Sequence, residues 1–225
     1  MKLILFDIDG TLLHTGGAGR RAMTRSFTEV FRVNDGFRGI SMSGKTDPAI
    51  LREALDTLGI SWNEERVRTF KERYFELLAE EIKRPNPNKR LMPGVKELLK
   101  RLAAHRGMAV GLLTGNWRKG GYIKLGHFGI DHFFPFGAFG DDSEAREKLL
   151  PSAVKRARRL GIKEIETIWV VGDTPKDVHC ATPHGACTLA VATGTSSEEE
   201  LNRAGATLVL PSLEDVERVL SILEG

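Results

Sequence analysis

The chain begins MKLILFDIDGTLL (residues 1–13), and how this stretch is read decides the fold. The stretch Leu3 to Ile8 has the character of a buried strand, yet its apolar run ends at Phe6, where Asp7 follows at once and Asp9 two residues later. Carboxylates at the end of a buried segment face desolvation and mutual repulsion, both unfavourable. A turn at that place needs one such acid, not two. The pair therefore points to a cation held beyond the end of the strand.

Outward from this stretch, residues 109–113, 167–171, 188–192 and 207–210 are further short apolar runs, rich in β-branched residues or closed by turn signals. Amphipathic segments alternate with them at 94–105, 118–128, 148–160, 197–203 and 213–223. Strands alternating with helices imply an α/β fold, a Rossmann-like parallel sheet covered on both faces. The alternation lapses only between 16 and 89. There the spacing predicts helices at 20–31, 48–58 and 63–82, the last with Val67, Phe70, Tyr74, Phe75 and Leu78 in helical register. Gly16-Gly17-Ala18-Gly19 bounds this region on one side and Pro85-Asn86-Pro87-Asn88 on the other, a flexible and a stiff linker. The expected organisation is an α/β core of residues 1–15 and 90–225, with a helical cap domain, 16–89, inserted after the first strand.

A chain of 225 residues is long enough to bury a substantial core. Its net charge of +3 is spread among interspersed acids and bases, as in Lys71-Glu72-Arg73, so no basic face marks a nucleic-acid partner. The tract from Lys155 to Arg159 reads as a solvated helix face. Cys180 and Cys187 lack the spacing of a metal or redox pair and are expected as reduced thiols. The first apolar run is too short for a signal peptide, and no long apolar stretch could span a bilayer. The expectation is a cytoplasmic protein without a membrane partner.

Three expected strands end in polar chemistry: Asp7 and Asp9 with Thr11 after the first, Thr114-Gly115-Asn116 after the second, and Asp173 with Asp177 after the third. Open parallel sheets bind ligands beyond the carboxyl ends of their strands, so these residues should converge. A concentration of carboxylate oxygens suits a hard cation, and magnesium is the natural candidate. Duller roles exist. Asp177 is equally suited to capping a helix, and Thr114 to a Thr-Gly-Asn bend. His14, His179 and His184 have no metal-ligand spacing and read as surface or packing residues.

The segments DIDGT, LLTGN and VVGDTPKD, in this order and over nearly the whole chain, resemble the motifs of the haloacid dehalogenase superfamily, especially its phosphoglycolate-phosphatase-like branch with a helical cap. The resemblance implies a magnesium-dependent phosphatase acting on a small phosphorylated metabolite such as phosphoglycolate. It makes Asp7 the nucleophile that forms an aspartyl-phosphate, and Asp9 the acid toward the leaving group and then the base for water. Neighbouring carboxylates are expected to raise the proton affinity of Asp9. Magnesium would be held by Asp7, the Asp9 backbone carbonyl and Asp173, with Asp177 as ligand or neighbour. Thr114 would donate to a phosphate oxygen, helped by the backbone at Gly115 and Asn116. The family's usual Lys-Pro before the third core helix is missing from GDDSEAREKLLPSAVKRA, so either Arg146 or Lys148 is expected to supply the phosphate-site cation. Lys45, in SGKTD, is expected to face the site and meet substrate, or else to be a solvated lysine before a helix capped by Thr46 or Asp47. Dehalogenation is disfavoured, since dehalogenases of the superfamily lack the second aspartate. A phosphoglucomutase-like phosphotransferase and a non-catalytic phospho-ligand-binding module are the alternatives.

Overall fold

A computed structural model describes residues 1–225. Six parallel strands form one sheet in the order β5-β4-β1-β6-β7-β8. They are β1 (Lys2–Phe6), β4 (Met108–Leu113), β5 (Gly137–Ala138), β6 (Thr167–Gly172), β7 (Cys187–Val191) and β8 (Leu208–Leu210). Helices α4 (Val95–Ala104), α5 (Arg118–His127), α6 (Leu149–Arg159), α7 (Pro175–Ala181), α8 (Glu198–Arg203) and α9 (Val216–Glu224) connect and cover them.

The two-residue period of β1 explains why its whole run is apolar. Leu3 and Leu5 pack into a core on one face with Leu113, Val170 and α6, while Ile4 and Phe6 pack on the other with Val110, Leu112, Val171 and α4. The parallel α/β core expected from the alternation is present. Its details differ where local chemistry intervenes. The first strand stops at Phe6 rather than continuing to residue 8, because the Leu12 and Leu13 amides turn back onto the Ile8 carbonyl at 2.9 and 3.1 Å. Gly10 makes that turn possible with φ +87°. Strand β5 has only two residues and no period to read, and α7 is a short helix absent from the amphipathic pattern.

A second layer, α1 (Ala18–Phe31), α2 (Asp47–Thr57) and α3 (Glu64–Glu81), lies where the helical insertion is expected. Phe27, Phe37, Phe70, Tyr74 and Leu78 give it an apolar core of its own. Thr46 caps α2, its hydroxyl accepting from the Ala49 amide at 3.3 Å. Two short strands that the sequence did not announce, β2 (Leu13–Thr15) and β3 (Lys89–Leu91), pair antiparallel beneath this layer, so both of its chain connections run through one ribbon. Trp117, at the start of α5, inserts into the aromatic core of the layer, with ring centroids 6.1 Å from Phe70, 5.7 Å from Tyr74 and 6.2 Å from Phe75.

Candidate active site

Strand register sets the site. Phe6 lies level with Leu112 of β4 and Val171 of β6, so Asp7, Thr114 and Asp173 emerge together at the carboxyl ends of three adjacent strands. Here the strand order reverses about β1, the place where open sheets form their crevice. A cavity of about 700 Å³ opens over these ends, beneath the second layer.

Carboxylate oxygens of Asp7, Asp173 and Asp177, all buried, lie within 4.8 Å of one another. Arg146, also buried, donates from Nη2 to Asp177 and stands 3.2 Å from Asp7 Oδ1, while its Nη1 donates to the Gly44 carbonyl at 3.1 Å. Burial pushes the Asp7 carboxyl up to about 6, against the pull of Arg146; Asp177 adds to the rise, the Thr114 hydroxyl opposes it and Asp9 reinforces it. Asp173 is pushed well above the ordinary carboxylate range by burial and by Asp177 and Asp7. Burial works against the charge of Arg146, but Asp177 and Asp7 hold its affinity for protons above the usual value. Three acids against one guanidinium leave a surplus of buried negative charge. Closely set, hard oxygen donors with such a surplus fit a small divalent cation.

Each partner is held by local structure. The Thr11 hydroxyl donates to Asp173 Oδ1 at 2.9 Å. Gly10 and Gly194 flank the same carboxylate so closely that a Cβ on either would overlap its oxygens. Asp177 takes the capping role considered for it and also joins the acid cluster. Its Oδ2 accepts from the Thr174 amide and hydroxyl at 3.1 and 2.7 Å, capping α7, and its Oδ1 faces Arg146.

Asp9 stands apart from the three acids. The groups that touch its carboxylate are donors: Asn116 Nδ2 at 2.9 Å and Lys124 Nζ at 2.5 Å, both to Oδ2. The neighbourhood of acids expected around Asp9 is thus not its immediate surroundings. Asn116 also donates to Thr114 Oγ1 at 2.9 Å, and Gly115 accepts from the Asp47 amide at 2.7 Å. Lys45 lines the cavity but is ion-paired with Glu53. Lys148 is exposed at the start of α6 and is not brought to the acids; Arg146 is.

Two buried residues of this region are not assigned to the site by the sequence, where Asp47 reads only as a helix cap. Asp47, from α2, accepts the Trp117 amide at 2.8 Å, and burial pushes its carboxyl up to about 7 despite nearby Lys124. Lys124 was visible in principle, since Trp117, Gly121, Lys124, Leu125 and Phe128 share one stripe of α5 at helical spacing.

Parallel strands ending at a crevice lined by carboxylates define an α/β protein with its ligand site at the strand ends. The chain belongs to the haloacid dehalogenase-like hydrolases, whose family model matches residues 4–191. It is 27% identical over 227 residues to pyrophosphatase PpaX of Halalkalibacterium halodurans, covering 99% of this chain and 98% of that protein. It is 25% identical over 215 residues to phosphoglycolate phosphatase of Pseudomonas syringae pv. tomato, covering 94% and 77%. Among solved structures, one from Haemophilus somnus described as a predicted phosphoglycolate phosphatase shares the fold with a TM-score of 0.73 at 21% identity, over 98% of both chains. This chain is a phosphatase of that family.

Proposed function

We propose that the protein is a magnesium-dependent phosphatase that hydrolyses a small phosphomonoester through an aspartyl-phosphate on Asp7, within an α/β core closed by a helical cap. The reading rests on one arrangement: Asp7 lining the cavity, with Arg146 at 3.2 Å and oxygens of Asp173 and Asp177 within 4.8 Å. A carboxylate oxygen of Asp7 attacks phosphorus as the bond to the leaving oxygen breaks, and Asp9 gives that oxygen a proton. Asp9 then takes a proton from water, whose oxygen attacks phosphorus. The bond to Asp7 breaks and inorganic phosphate leaves. Arg146 and Thr114 hold the phosphoryl oxygens through both steps. The Asp7 and Asp173 carboxylates and the Asp9 carbonyl would hold magnesium, with Asp177 beside them. When bound, the metal offsets the repulsion between the phosphate and Asp7.

Phosphoglycolate and pyrophosphate are the first substrates to test, being named for the two relatives, and our reading of the protein as cytoplasmic goes with small metabolites of this kind. No helix is long and apolar enough to cross a membrane. The test is phosphate release by purified protein from a panel of phosphoglycolate, pyrophosphate, glucose 1-phosphate and an aryl phosphate. Release should require magnesium, stop reversibly in EDTA and vanish in Asp7→Asn. Conversion of glucose 1-phosphate to an isomer without phosphate release would replace the hydrolase reading by a phosphotransferase. Binding of phosphorylated ligands without turnover would replace it by a binding module.

A further inference from the structure

Lys124 is buried on α5, within a helix whose other charged side chains, Arg118 and Lys119, are exposed. Burying an ammonium is unfavourable unless it is paired and hydrogen-bonded, and Lys124 is both. Its Nζ donates to Asp9 Oδ2 at 2.5 Å and to Asn116 Oδ1 at 2.6 Å, and Asn116 Nδ2 reaches the same Asp9 oxygen at 2.9 Å. Two donors that also contact each other thus fix one oxygen of Asp9. Oδ1, which neither of them uses, is left for the cavity that Asp9 lines.

Beyond Asp9 and Asn116, which follow β1 and β4, the surroundings of Lys124 include the second layer. A Cβ placed on Gly19 of α1 would lie 3.6 Å from Lys124 Cε and Nζ and 3.9 Å from the Tyr74 hydroxyl. Tyr74 of α3 also rests on α5, where a Cβ on Gly120 would meet its ring at 3.4 Å. Asp47, on α2, is held to the Trp117 amide at 2.8 Å, one turn before Gly121 on the same helix. Lys124 therefore has its full set of neighbours only with α1, α2 and α3 seated on the sheet layer.

We propose that Lys124 is a positioning residue for Asp9, fixing its Oδ2 so that Oδ1 meets the reacting oxygen, and that it does so when the helical layer is seated. The proposal rests on the reading of Asp9 as acid and base. A misplaced acid–base group loses rate rather than binding, because Asp7 and Arg146 still hold the phosphoryl end of the substrate.

The test is a double-mutant cycle of Asp9→Asn and Lys124→Met, assayed with one aryl and one alkyl phosphate under saturating magnesium. Lys124→Met should lower kcat by roughly 10- to 100-fold with little change in KM, more for the alkyl than the aryl phosphate. Added to Asp9→Asn, it should cost nothing further, since the group it positions is already inert. A second variant keeps the charge: Gly19→Leu fills the space against Lys124 and should reproduce the leaving-group-dependent loss in a protein that still melts cooperatively. If the Lys124→Met and Asp9→Asn losses multiply, or Lys124→Met and Gly19→Leu both leave kcat unchanged while Asp9→Asn is impaired, the proposal is overturned and the role of Asp9 stands. An unimpaired Asp9→Asn would overturn both.

Discussion

At the scale of single residues, one side chain offsets part of the buried negative charge of the site. Arg146 meets two of the three buried acids, and its planar fork has enough donors to reach Gly44 as well. Its place is fixed from behind, where the Cys180 thiol donates to the Arg146 carbonyl at 3.1 Å. Lys148, only two residues on, is exposed. Arg146→Ala should therefore reduce kcat by two orders of magnitude or more, roughly the loss on removing a group aimed at developing charge, while Lys148→Ala should stay within about twofold, as surface changes do. Steady-state kinetics on the two variants decide it. The reverse ranking would move the phosphate-site cation to Lys148.

At the scale of elements, the junction between α3 and α5 carries the load between the two layers. Trp117 is buried among Phe70, Tyr74 and Phe75, although it belongs to the helix that follows β4. Beside it the Asp47 carboxylate accepts the Trp117 amide, and the Asp47 amide donates to the Gly115 carbonyl at 2.7 Å. Apolar packing and paired backbone groups thus meet at the rim of the cavity. If the helical layer opens for substrate about the β2–β3 ribbon, these contacts are what must separate. Trp117→Ala should lower unfolding free energy by about 3–5 kcal/mol, the usual result of emptying a buried aromatic site. It should also raise KM, because the closed arrangement that binds substrate is populated less. Denaturant titration and substrate saturation curves measure the two effects. A large stability loss with KM unchanged would show that Trp117 is core packing alone and that no closure depends on it.

At the scale of the whole molecule, stability and metal binding are linked through the same acids. Burial raises Asp7 to about 6 and Asp47 to about 7, and lifts Asp173 well above its ordinary range. Each of these groups binds its proton more tightly folded than unfolded. Their contribution is fully present below about pH 4, the unfolded value, and is lost as pH rises through the folded values. The acids held low by arginines, such as Glu81 and Asp142, act only in more acidic solution. His127, lowered by burial, opposes the trend slightly from an exposed position. Metal-free protein should therefore melt at a higher temperature at pH 5 than at pH 8. Magnesium, which competes with protons for Asp7 and Asp173, should raise the melting temperature more at pH 8. Thermal melts in EDTA and in magnesium at both pH values check this. An equal or larger magnesium shift at pH 5 would contradict the assignment of those acids.

Much of this was legible in MKLILFDIDGTLL and the runs after it. Alternation of strand and helix, and acids at strand ends, are written within a few residues of one another. A sheet buried on both faces demands the apolar runs, and the crevice beyond its ends collects whatever polar residues follow them. The Asp7, Thr114 and Asp173 grouping could be anticipated for that reason. Residues whose meaning depends on a distant partner were not legible. Sequence offered both Arg146 and Lys148, preferring Arg146 only for its planar fork; a 3-10 turn packed against α7 turns Arg146 inward. Lys124 and Asp47 read as an ordinary helical lysine and an ordinary first-turn acid. The pairing of β1 with β4 brings Asp9 to Asn116 and Lys124, 107 to 115 residues away, and α1, α2 and α3 settling over α5 bury Lys124 and Asp47 beside them. Local patterns set where chain chemistry is offered; burial and pairing, which decide what that chemistry does, exist only once the layers have met.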